Sequence, residues 1–229
     1  MGSSRCRPGF DPPGDCRRIL IVGAGGFGRE VLAWARDAWP DHADRIAGFL
    51  SDDLRCLDNY STGVAVVGPV AGYAKQPGDY LVFGIGVPYV RRRVAEALME
   101  LNASFLTLAH PTAVIAASAS IGEGSVVCPY AILSDSARLG RFALVNYHSS
   151  LGHDAVAGDF SVLSPYATLG GNAAIAEDVF LGLHASVGPG KSIGARSKIS
   201  ANSAALSQAP PDSLIFGVPG RIALRLETT

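Results

Sequence analysis

The sequence predicts a chain of two parts, a small α/β domain followed by an all-β parallel solenoid. Three observations predict this fold class. An aliphatic residue stands at every sixth position from Ile115 to Ala205, sixteen times without a break. Two residues before each of these positions, the chain carries Ala or Ser in fourteen of the sixteen cases. Upstream of the repeat, aliphatic runs at residues 19–22 and 80–85 are each followed by a stretch of helical character, which is typical of βαβ units.

The first 17 residues are polar and rich in Pro and Gly, and we expect residues 1–17 to form a disordered tail. They lack the apolar core of a signal peptide, and no later stretch has the composition of a membrane span. The net charge of −1 argues against nucleic acid or an anionic membrane as a partner. The four cysteines form no CxxC pair, so the sequence predicts a reduced, cytoplasmic protein without a metal site.

Residues 18–107 are predicted to form the α/β domain. A strand at 19–22 runs into Gly-Ala-Gly-Gly-Phe-Gly and a helix at 29–39, and a second strand at 46–50 runs into Ser-Asp-Asp. Glycines in this place let a phosphate approach the backbone at a helix N-terminus, and the acids stand where dinucleotide folds bind a nucleoside hydroxyl. The domain has too few strands for a dinucleotide fold and suits a mononucleotide better. The candidate binding residues are Gly23, Ala24, Gly25, Gly26, Asp52, Asp53 and Gly84.

Two alternatives apply to these motifs. The glycines could form a tight turn that binds no ligand, and Asp52 and Asp53 could lie in a solvated turn. A second helix is predicted at 89–101, after the strand at 80–85. Its consecutive arginines, Arg91, Arg92 and Arg93, are interpreted as a solvated helix face rather than as a phosphate clamp.

Residues 108–207 are predicted to form the solenoid. A period of six is a multiple of the strand period of two, so one large side chain per hexad can always point inward from a short strand. Three hexads close a triangular coil of eighteen residues, and sixteen hexads make a little over five coils. The pattern resembles the left-handed parallel β-helix of the hexapeptide-repeat acyltransferases, and the handedness is taken from that resemblance. Residues 208–229 are predicted to be a C-terminal loop and tail.

Residues eighteen apart are expected to stack in columns about 4.8 Å from each other. One column holds Asp135, His153, Gly171 and Pro189. His153 should project from a coil corner, where a neutral imidazole can accept a proton from a nucleophile that attacks a thioester. Asp135 lies beneath it and could orient the ring, with Asp154 as the alternative acid. Gly171, above it, leaves room for a pantetheine arm and a backbone N–H for an oxyanion.

A second column holds Tyr130, His148, Tyr166 and His184. We interpret it as an aromatic stack at an interface between subunits. A zinc site built from His148, His153 and His184, similar to that of the γ-class carbonic anhydrases, is the less favoured alternative.

The joint motifs resemble those of bacterial sugar acyltransferases that join a nucleotide-sugar-binding domain to a hexapeptide β-helix. The segments that carry this resemblance are ILIVGAGGFGRE, FLSDD, AHPTAVIAASASIGEG, LGHDAVAGDF, LGGNAAIAEDVFLG and FGVPGR, within residues 18–222. That group includes N-acetyltransferases of UDP- or GDP-linked amino sugars and sialic acid O-acetyltransferases. The resemblance implies a homotrimer with active sites between subunits and acetyl-CoA lying along the β-helix.

The resemblance also assigns roles to single residues. It implies that His153 is the general base, that Asn146 lies near it, and that the glycine motif with its two acids binds the nucleotide sugar. The chain departs from some members of the group, in which an acid precedes the histidine and a second histidine follows nine residues later, because Gly152 and Val162 occupy those positions. The expected acetyl-CoA residues are Gly171, Asn172, Gly188, Lys191, Gly217, Pro219 and Arg221. For Asn172 and Lys191, an ordinary place at a coil corner is an equal alternative.

The predicted function is therefore acetyl-CoA-dependent acetylation of the amino group of a nucleotide-linked amino sugar. We expect direct transfer without an acyl-enzyme, because no cysteine stands in the catalytic motif. One alternative is O-acetylation of a sugar or another small hydroxyl acceptor. The other is a non-catalytic trimeric scaffold that binds a nucleotide sugar.

Overall fold

A computed structural model of the chain describes residues 9–225. It shows an N-terminal α/β domain followed by a left-handed parallel β-helix, which confirms the predicted fold class. Residues 1–8 of the predicted tail and residues 226–229 lie outside the described residues. The described remainder of that tail packs on the domain: Cys16 is buried, and the indole N–H of Trp39 donates to the carbonyl oxygen of Phe10 at 2.8 Å. The expectation of disorder therefore does not hold for residues 10–16.

The α/β domain contains a four-stranded parallel sheet of order β3-β2-β1-β4. Its strands are β1 (Arg18–Val22), β2 (Ile46–Leu50), β3 (Val66–Gly68) and β4 (Asp79–Phe83). Its helices are α1 (Gly26–Ala38), a 3-10 helix (Pro40–Arg45) and α2 (Pro88–Glu100). The predicted strands and helices are present, whereas β3 was not predicted. No helix within residues 9–225 is both long enough and apolar enough to cross a membrane.

The β-helix is built from two-residue strands that pair in parallel at a register of eighteen residues, for example Leu151 with Leu169. The side chains at the six-residue period point into a narrow aliphatic core. The strands are β5 (Leu108–Ala109), β6 (Val114–Ile115), β7 (Ser120–Ile121), β8 (Val126–Val127), β9 (Ile132–Leu133), β10 (Arg138–Leu139), β11 (Leu144–Val145), β12 (Ser150–Leu151), β13 (Val156–Ala157), β14 (Val162–Leu163), β15 (Thr168–Leu169), β16 (Ala174–Ile175), β17 (Phe180–Leu181), β18 (Ser186–Val187), β19 (Ser192–Ile193), β20 (Lys198–Ile199) and β21 (Ala204–Ala205).

A C-terminal hairpin closes the last coil. Strand β22 (Ser213–Phe216) pairs in parallel with β20, and β23 (Arg221–Leu224) returns antiparallel to β22. The loop between them contains the Gly-Val-Pro-Gly segment. Its Gly220 N–H donates to the carbonyl oxygen of Ala204 at 2.8 Å, so the loop lies against β21. The hairpin therefore extends one sheet of the β-helix beyond the hexad repeat.

The two domains pack into one body. Apolar residues of α1, among them Leu32 and Ala35, share a hydrophobic cluster with Val126, Leu144 and Val162, which face outward from the β-helix. On the α2 side, Phe83, Phe105 and Phe142 lie edge to face or tilted against each other at 4.9–5.8 Å, and Phe160 stacks on Phe142. Aromatic pairs of this geometry add stabilisation beyond their buried area. These contacts fix the α/β domain against one face of the β-helix.

Arg91 lies at the centre of this domain interface and is 0% exposed. Its guanidinium donates to the carbonyl oxygens of Ile85 and Phe142 at 2.7 and 2.5 Å, and to that of Gly124 at 3.2 Å. Burial lowers the pKa of Arg91 to about 9. The interpretation of the arginine cluster as a solvated helix face is therefore wrong for Arg91, since every third or fourth residue of α2 from Pro88 faces the interface.

Candidate active site

The predicted column of Asp135, His153 and Gly171 is present at the corner that follows β9, β12 and β15. The backbone N–H of Asp154 donates to the carbonyl oxygen of Asp135 at 2.9 Å. One coil further along, the N–H of Asn172 donates to the carbonyl oxygen of His153 at 2.8 Å. The eighteen-residue period thus places these residues one above the other, as the sequence predicts.

The acid that contacts His153 is Asp154. Its Oδ2 lies 2.9 Å from Nδ1 of the imidazole, and both side chains are more than half exposed. Asp135, the first-choice acid, instead accepts a hydrogen bond on its carboxylate from the Ser118 hydroxyl at 2.5 Å in the coil below. A carboxylate at Nδ1 favours the tautomer that carries the proton there, which leaves Nε2 free as the basic nitrogen.

Gly171 provides the space for the imidazole ring. A Cβ atom at this position would lie 2.3 Å from Nε2 of His153, so the ring would have to shift. Among the residues that the structure describes, the Gly171 N–H has no acceptor. The corner therefore presents a basic nitrogen and an unpaired backbone donor within the same two coils.

A shallow cleft of about 570 Å³ begins beside this corner, on the face formed by β16 and β19. Its walls are mostly apolar and include Ala174, Ile193 and Pro210. Lys191 and Gly188 lie in the coil above Gly171, where Gly190 N–H donates to the Gly171 carbonyl oxygen at 2.9 Å. This face could hold an extended, largely apolar arm that ends at His153.

Other predicted site residues lie elsewhere in the single chain. Asn146 follows β11, one corner before His153, and its Oδ1 accepts from the N–H of Tyr147 at 2.8 Å. Gly217, Pro219 and Arg221 belong to the C-terminal hairpin, which lies against β21 rather than beside His153. Asn172 occupies an exposed corner with a φ of 59°. The fold of one chain does not bring Asn146 or the hairpin loop to His153.

The second predicted column forms a continuous stack. The rings of Tyr130, His148, Tyr166 and His184 follow one another at centroid separations of 5.1, 4.9 and 4.7 Å and within 11° of parallel. This confirms the expected stacking. The stack lies on a different corner from His153, and Tyr166 separates its two histidines. Within residues 9–225, no group of three or more His, Cys, Asp and Glu side chains could hold a metal ion.

The glycines at the binding edge of the α/β domain fall into two groups, those packed against backbone and those open to solvent. Gly23, Gly28 and Gly84 pack against one another's backbone, and a Cβ on Gly28 would lie 2.0 Å from the Gly23 carbonyl oxygen. Gly25 and Gly26 instead face open space. They stand at the N-terminus of α1, where the first-turn N–H groups have no intrahelical acceptor. These two positions are where a phosphate could approach, and Ala24 beside them is buried.

The acids after β2 lie at the carboxyl edge of the same sheet. Asp52 accepts from the N–H of Val70 at 2.9 Å, and Asp53 accepts from the N–H of Arg55 at 3.0 Å. Both side chains are exposed and also order their own loop. Arg29, which was not among the predicted site residues, places its guanidinium 3.5 Å above the centre of the Tyr60 ring. Arg29 directly follows the glycine motif in the sequence, and this position could have indicated it as a candidate binding residue.

Comparisons with known proteins agree with this architecture. The family model described as the PglD N-terminal domain matches residues 18–98. The UDP-N-acetylbacillosamine N-acetyltransferase of Bacillus subtilis is 32% identical over 118 residues, which are 48% of this chain. The match spans 51% of the length of that relative.

Solved structures match over a longer part of the chain. Perosamine N-acetyltransferase from Caulobacter crescentus, in complex with CoA and GDP-perosamine, has a TM-score of 0.81 at 26% identity, over 90% of this chain and 96% of its own. The acetyltransferase domain of PglB from Neisseria gonorrhoeae has the same TM-score and identity, over 90% of this chain and 100% of its own. That domain has also been solved with acetyl coenzyme A.

Proposed function

We propose that this protein is an acetyl-CoA-dependent N-acetyltransferase that acts on the amino group of a nucleotide-linked amino sugar. The observation that carries the proposal is the exposed corner where His153 contacts Asp154 through Nδ1 and lies over Gly171 through Nε2. This corner belongs to the same packed body as a domain with an open glycine-rich helix N-terminus. The Bacillus relative is named as an N-acetyltransferase of a nucleotide sugar, and perosamine N-acetyltransferase shares the fold of this chain over 90% of its length.

In the proposed mechanism, acetyl-CoA supplies an acetyl group activated as a thioester. His153 Nε2 accepts the proton of the sugar amine as its nitrogen attacks the thioester carbonyl. Asp154 holds the other proton of the ring at Nδ1 and stabilises the imidazolium that forms. The Gly171 N–H could donate to the oxyanion. The attack forms the N–C bond; as the resulting oxyanion collapses, the C–S bond breaks and His153 returns the proton to the departing CoA thiolate.

Direct transfer fits the described cysteines, Cys16, Cys56 and Cys128, better than an acyl-enzyme does. Burial raises the pKa of the Cys128 thiol well above its usual range, so the thiolate that a covalent route needs is disfavoured. Cys16 is also buried, and Cys56 lies in the α/β domain. None of these three side chains belongs to the corner of His153.

The α/β domain is proposed to bind the nucleotide part of the sugar substrate. Gly25 and Gly26 could receive the diphosphate at the N-terminus of α1, and Asp52 or Asp53 could accept from a ribose hydroxyl. The GDP-perosamine bound by the Caulobacter protein is a ligand of this class. The proposal also includes a homotrimer, because Asn146 and His153 occupy different corners of one chain and would meet only across an interface between subunits. A cytoplasmic location completes the proposal.

The test is an acetylation assay in which purified protein and acetyl-CoA are combined with UDP-, GDP- and dTDP-linked amino sugars. The matched controls are the same nucleotide sugars with a hydroxyl in place of the amine. We expect one amino sugar to gain an acetyl group by mass spectrometry, and both it and acetyl-CoA to raise the melting temperature. If only the hydroxyl controls were acetylated, the assigned activity would be O-acetylation and not N-acetylation. If no acetyl group were transferred and acetyl-CoA did not raise the melting temperature, the alternative of a non-catalytic scaffold that binds a nucleotide sugar would be favoured.

A further inference from the structure

A second cleft, of about 660 Å³, lies between α2 and the outer face of the β-helix. We call it the basic cleft. Its helix wall is formed by the first half of α2, and its other wall by residues of β17, β20 and the C-terminal hairpin region. Its lining includes Tyr89 and Arg93 of α2, Phe180 and Lys198 of the β-helix, and Arg225 beyond the hairpin. None of them belongs to the glycine motif or to the corner of His153.

The charge of the basic cleft differs from that of the chain. Its lining includes five cationic and three anionic side chains, which leaves a net charge of +2, whereas the whole chain carries −1. All three carboxylates are already paired with arginines. Arg92 binds Asp178 at 2.8 Å and Glu96 at 3.4 Å, and Arg196 binds Asp212 at 2.6 Å. The surplus charge therefore resides on the other three cations.

These three cations are Arg93, Lys198 and Arg225. Among the described residues, none of them forms an ion pair with a carboxylate within 4.0 Å, although Arg225 is near enough to Asp212 to contribute to the lowered pKa of that carboxyl. Arg225 is held by a hydrogen bond from its guanidinium to the carbonyl oxygen of Arg196 at 2.7 Å. Like charges that converge without counterions repel one another, and an anionic ligand would relieve that repulsion.

Each wall of the basic cleft also presents an aromatic ring beside an unpaired cation. On α2, the Arg93 guanidinium lies 5.7 Å from the Tyr89 ring centre. On the β-helix, the Lys198 ammonium lies 5.7 Å from the Phe180 ring centre. These two residues are register partners in the neighbouring strands β17 and β20. Two rings and two cations that face each other across a cleft suit a ligand with a planar ring and a phosphate. The volume is within the range of small-molecule sites.

The walls are fixed before any ligand arrives. Arg92 donates from Nε to both carboxylate oxygens of Asp178, at 3.0 and 2.8 Å, and its guanidinium lies 4.2 Å from the Phe160 ring centre. These contacts tie α2 to the coil corner that forms the floor of the cleft. A preformed site avoids the cost of ordering its side chains on binding.

From these observations we infer that the basic cleft binds a phosphorylated nucleoside. The ligand could be the 3′-phosphoadenosine end of CoA or a separate nucleotide, since both present a planar base and phosphate oxygens. In either case Arg93, Lys198 and Arg225 contact the phosphates, and Tyr89 and Phe180 contact the base. The inference rests on the lining of this cleft and does not depend on the proposed acetyl transfer.

The test is calorimetric titration of the full chain with adenosine 3′,5′-bisphosphate as the probe. The double variant Arg93→Ala/Lys198→Ala removes one unpaired cation from each wall, and Arg17→Ala removes an exposed arginine outside the cleft as the matched control. We expect the double variant to bind at least tenfold more weakly than wild type, and the control to bind equally well. The melting temperatures of all three proteins report that the variants are folded.

Titration with acetyl-CoA then distinguishes the two sources. A similar tenfold loss in the double variant identifies the nucleotide end of CoA as the occupant, whereas unchanged acetyl-CoA binding identifies a separate nucleotide. Equal binding of the bisphosphate to wild type and double variant, or no binding to wild type at millimolar concentration, overturns the inference. Because these are binding measurements, a failure of acetyl transfer in the assay described above would leave their result unaffected.

Discussion

The glycine cluster of the α/β domain and Gly171 of the β-helix serve different purposes. In the α/β domain, Gly23, Gly28 and Gly84 bring three backbone segments into contact, and a Cβ on Gly28 would meet a carbonyl oxygen at 2.0 Å. In the β-helix, Gly171 makes room for a side chain, the imidazole of His153. The backbone of a sheet and a helix cannot move away from a new methyl group, whereas a half-exposed imidazole can. Substitution of Gly28 is therefore expected to affect folding, and substitution of Gly171 is expected to affect chemistry.

The largest effect is expected for Gly28→Ala. The added methyl group overlaps the Gly23 carbonyl oxygen, so α1 can no longer pack against β1, at a cost of about 3 kcal/mol of unfolding free energy. Gly26→Ala is the matched control, because the nearest atom to its added Cβ lies at 4.0 Å, and its change should remain within about 0.5 kcal/mol. Urea denaturation of both variants measures the difference. Equal stability of the two would show that the contact between Gly28 and Gly23 is not needed for folding.

The variant Gly171→Ala tests the role of glycine beside His153 in the β-helix. The new methyl group displaces the His153 ring from its place, and a displacement of about 1 Å can reduce turnover by roughly 100-fold. The melting temperature should stay close to wild type because the ring can swing into solvent. Gly68→Ala, which has no atom within 4 Å of its added Cβ, is the control for both readouts. A fall in stability comparable to that of Gly28→Ala would mean that Gly171 is needed for folding in the same way as Gly28.

A smaller effect is expected for Asp154→Asn. Loss of the carboxylate at Nδ1 leaves the tautomer of His153 unspecified and should lower kcat by about 10- to 100-fold, with little change in the KM for acetyl-CoA. Asp135→Asn is the matched control, since its carboxylate contacts Ser118 and not His153. Steady-state kinetics of both variants decide between them. If Asp135→Asn proved the more damaging change, the contact with Asp154 would not be the functional one.

The sequence predicted the β-helix in more detail than the α/β domain. A fixed period of eighteen residues determines which residues become neighbours, so the columns of His153 and of Tyr166 follow from counting along the chain. The period does not determine where a side chain turns within its corner. For that reason the period places Asp135 beneath His153, but it does not predict that the carboxylate in contact with the ring is that of Asp154.

The contacts between the domains could not be predicted in the same way. Strand β3 is three residues long and pairs only at the sheet edge, which leaves little pattern to detect. Arg91 and Arg92 stand next to each other, yet Arg91 is buried against backbone carbonyls and Arg92 pairs with Asp178, 86 residues away. Such pairings depend on how α2 sits on the β-helix, and nothing local in the sequence specifies that. The basic cleft was missed for the same reason.

The role of His153 as the general base is tested most directly by the kcat of His153→Ala with the accepted amino sugar. The control is His42→Ala, which removes a histidine of the 3-10 helix at the amino end of β2, at the sheet edge opposite the glycine motif. We predict that kcat falls by about 10²- to 10⁴-fold in His153→Ala and stays within about threefold of wild type in His42→Ala, with both variants folded. An unchanged kcat in His153→Ala, or an equal loss in both variants, would contradict this role.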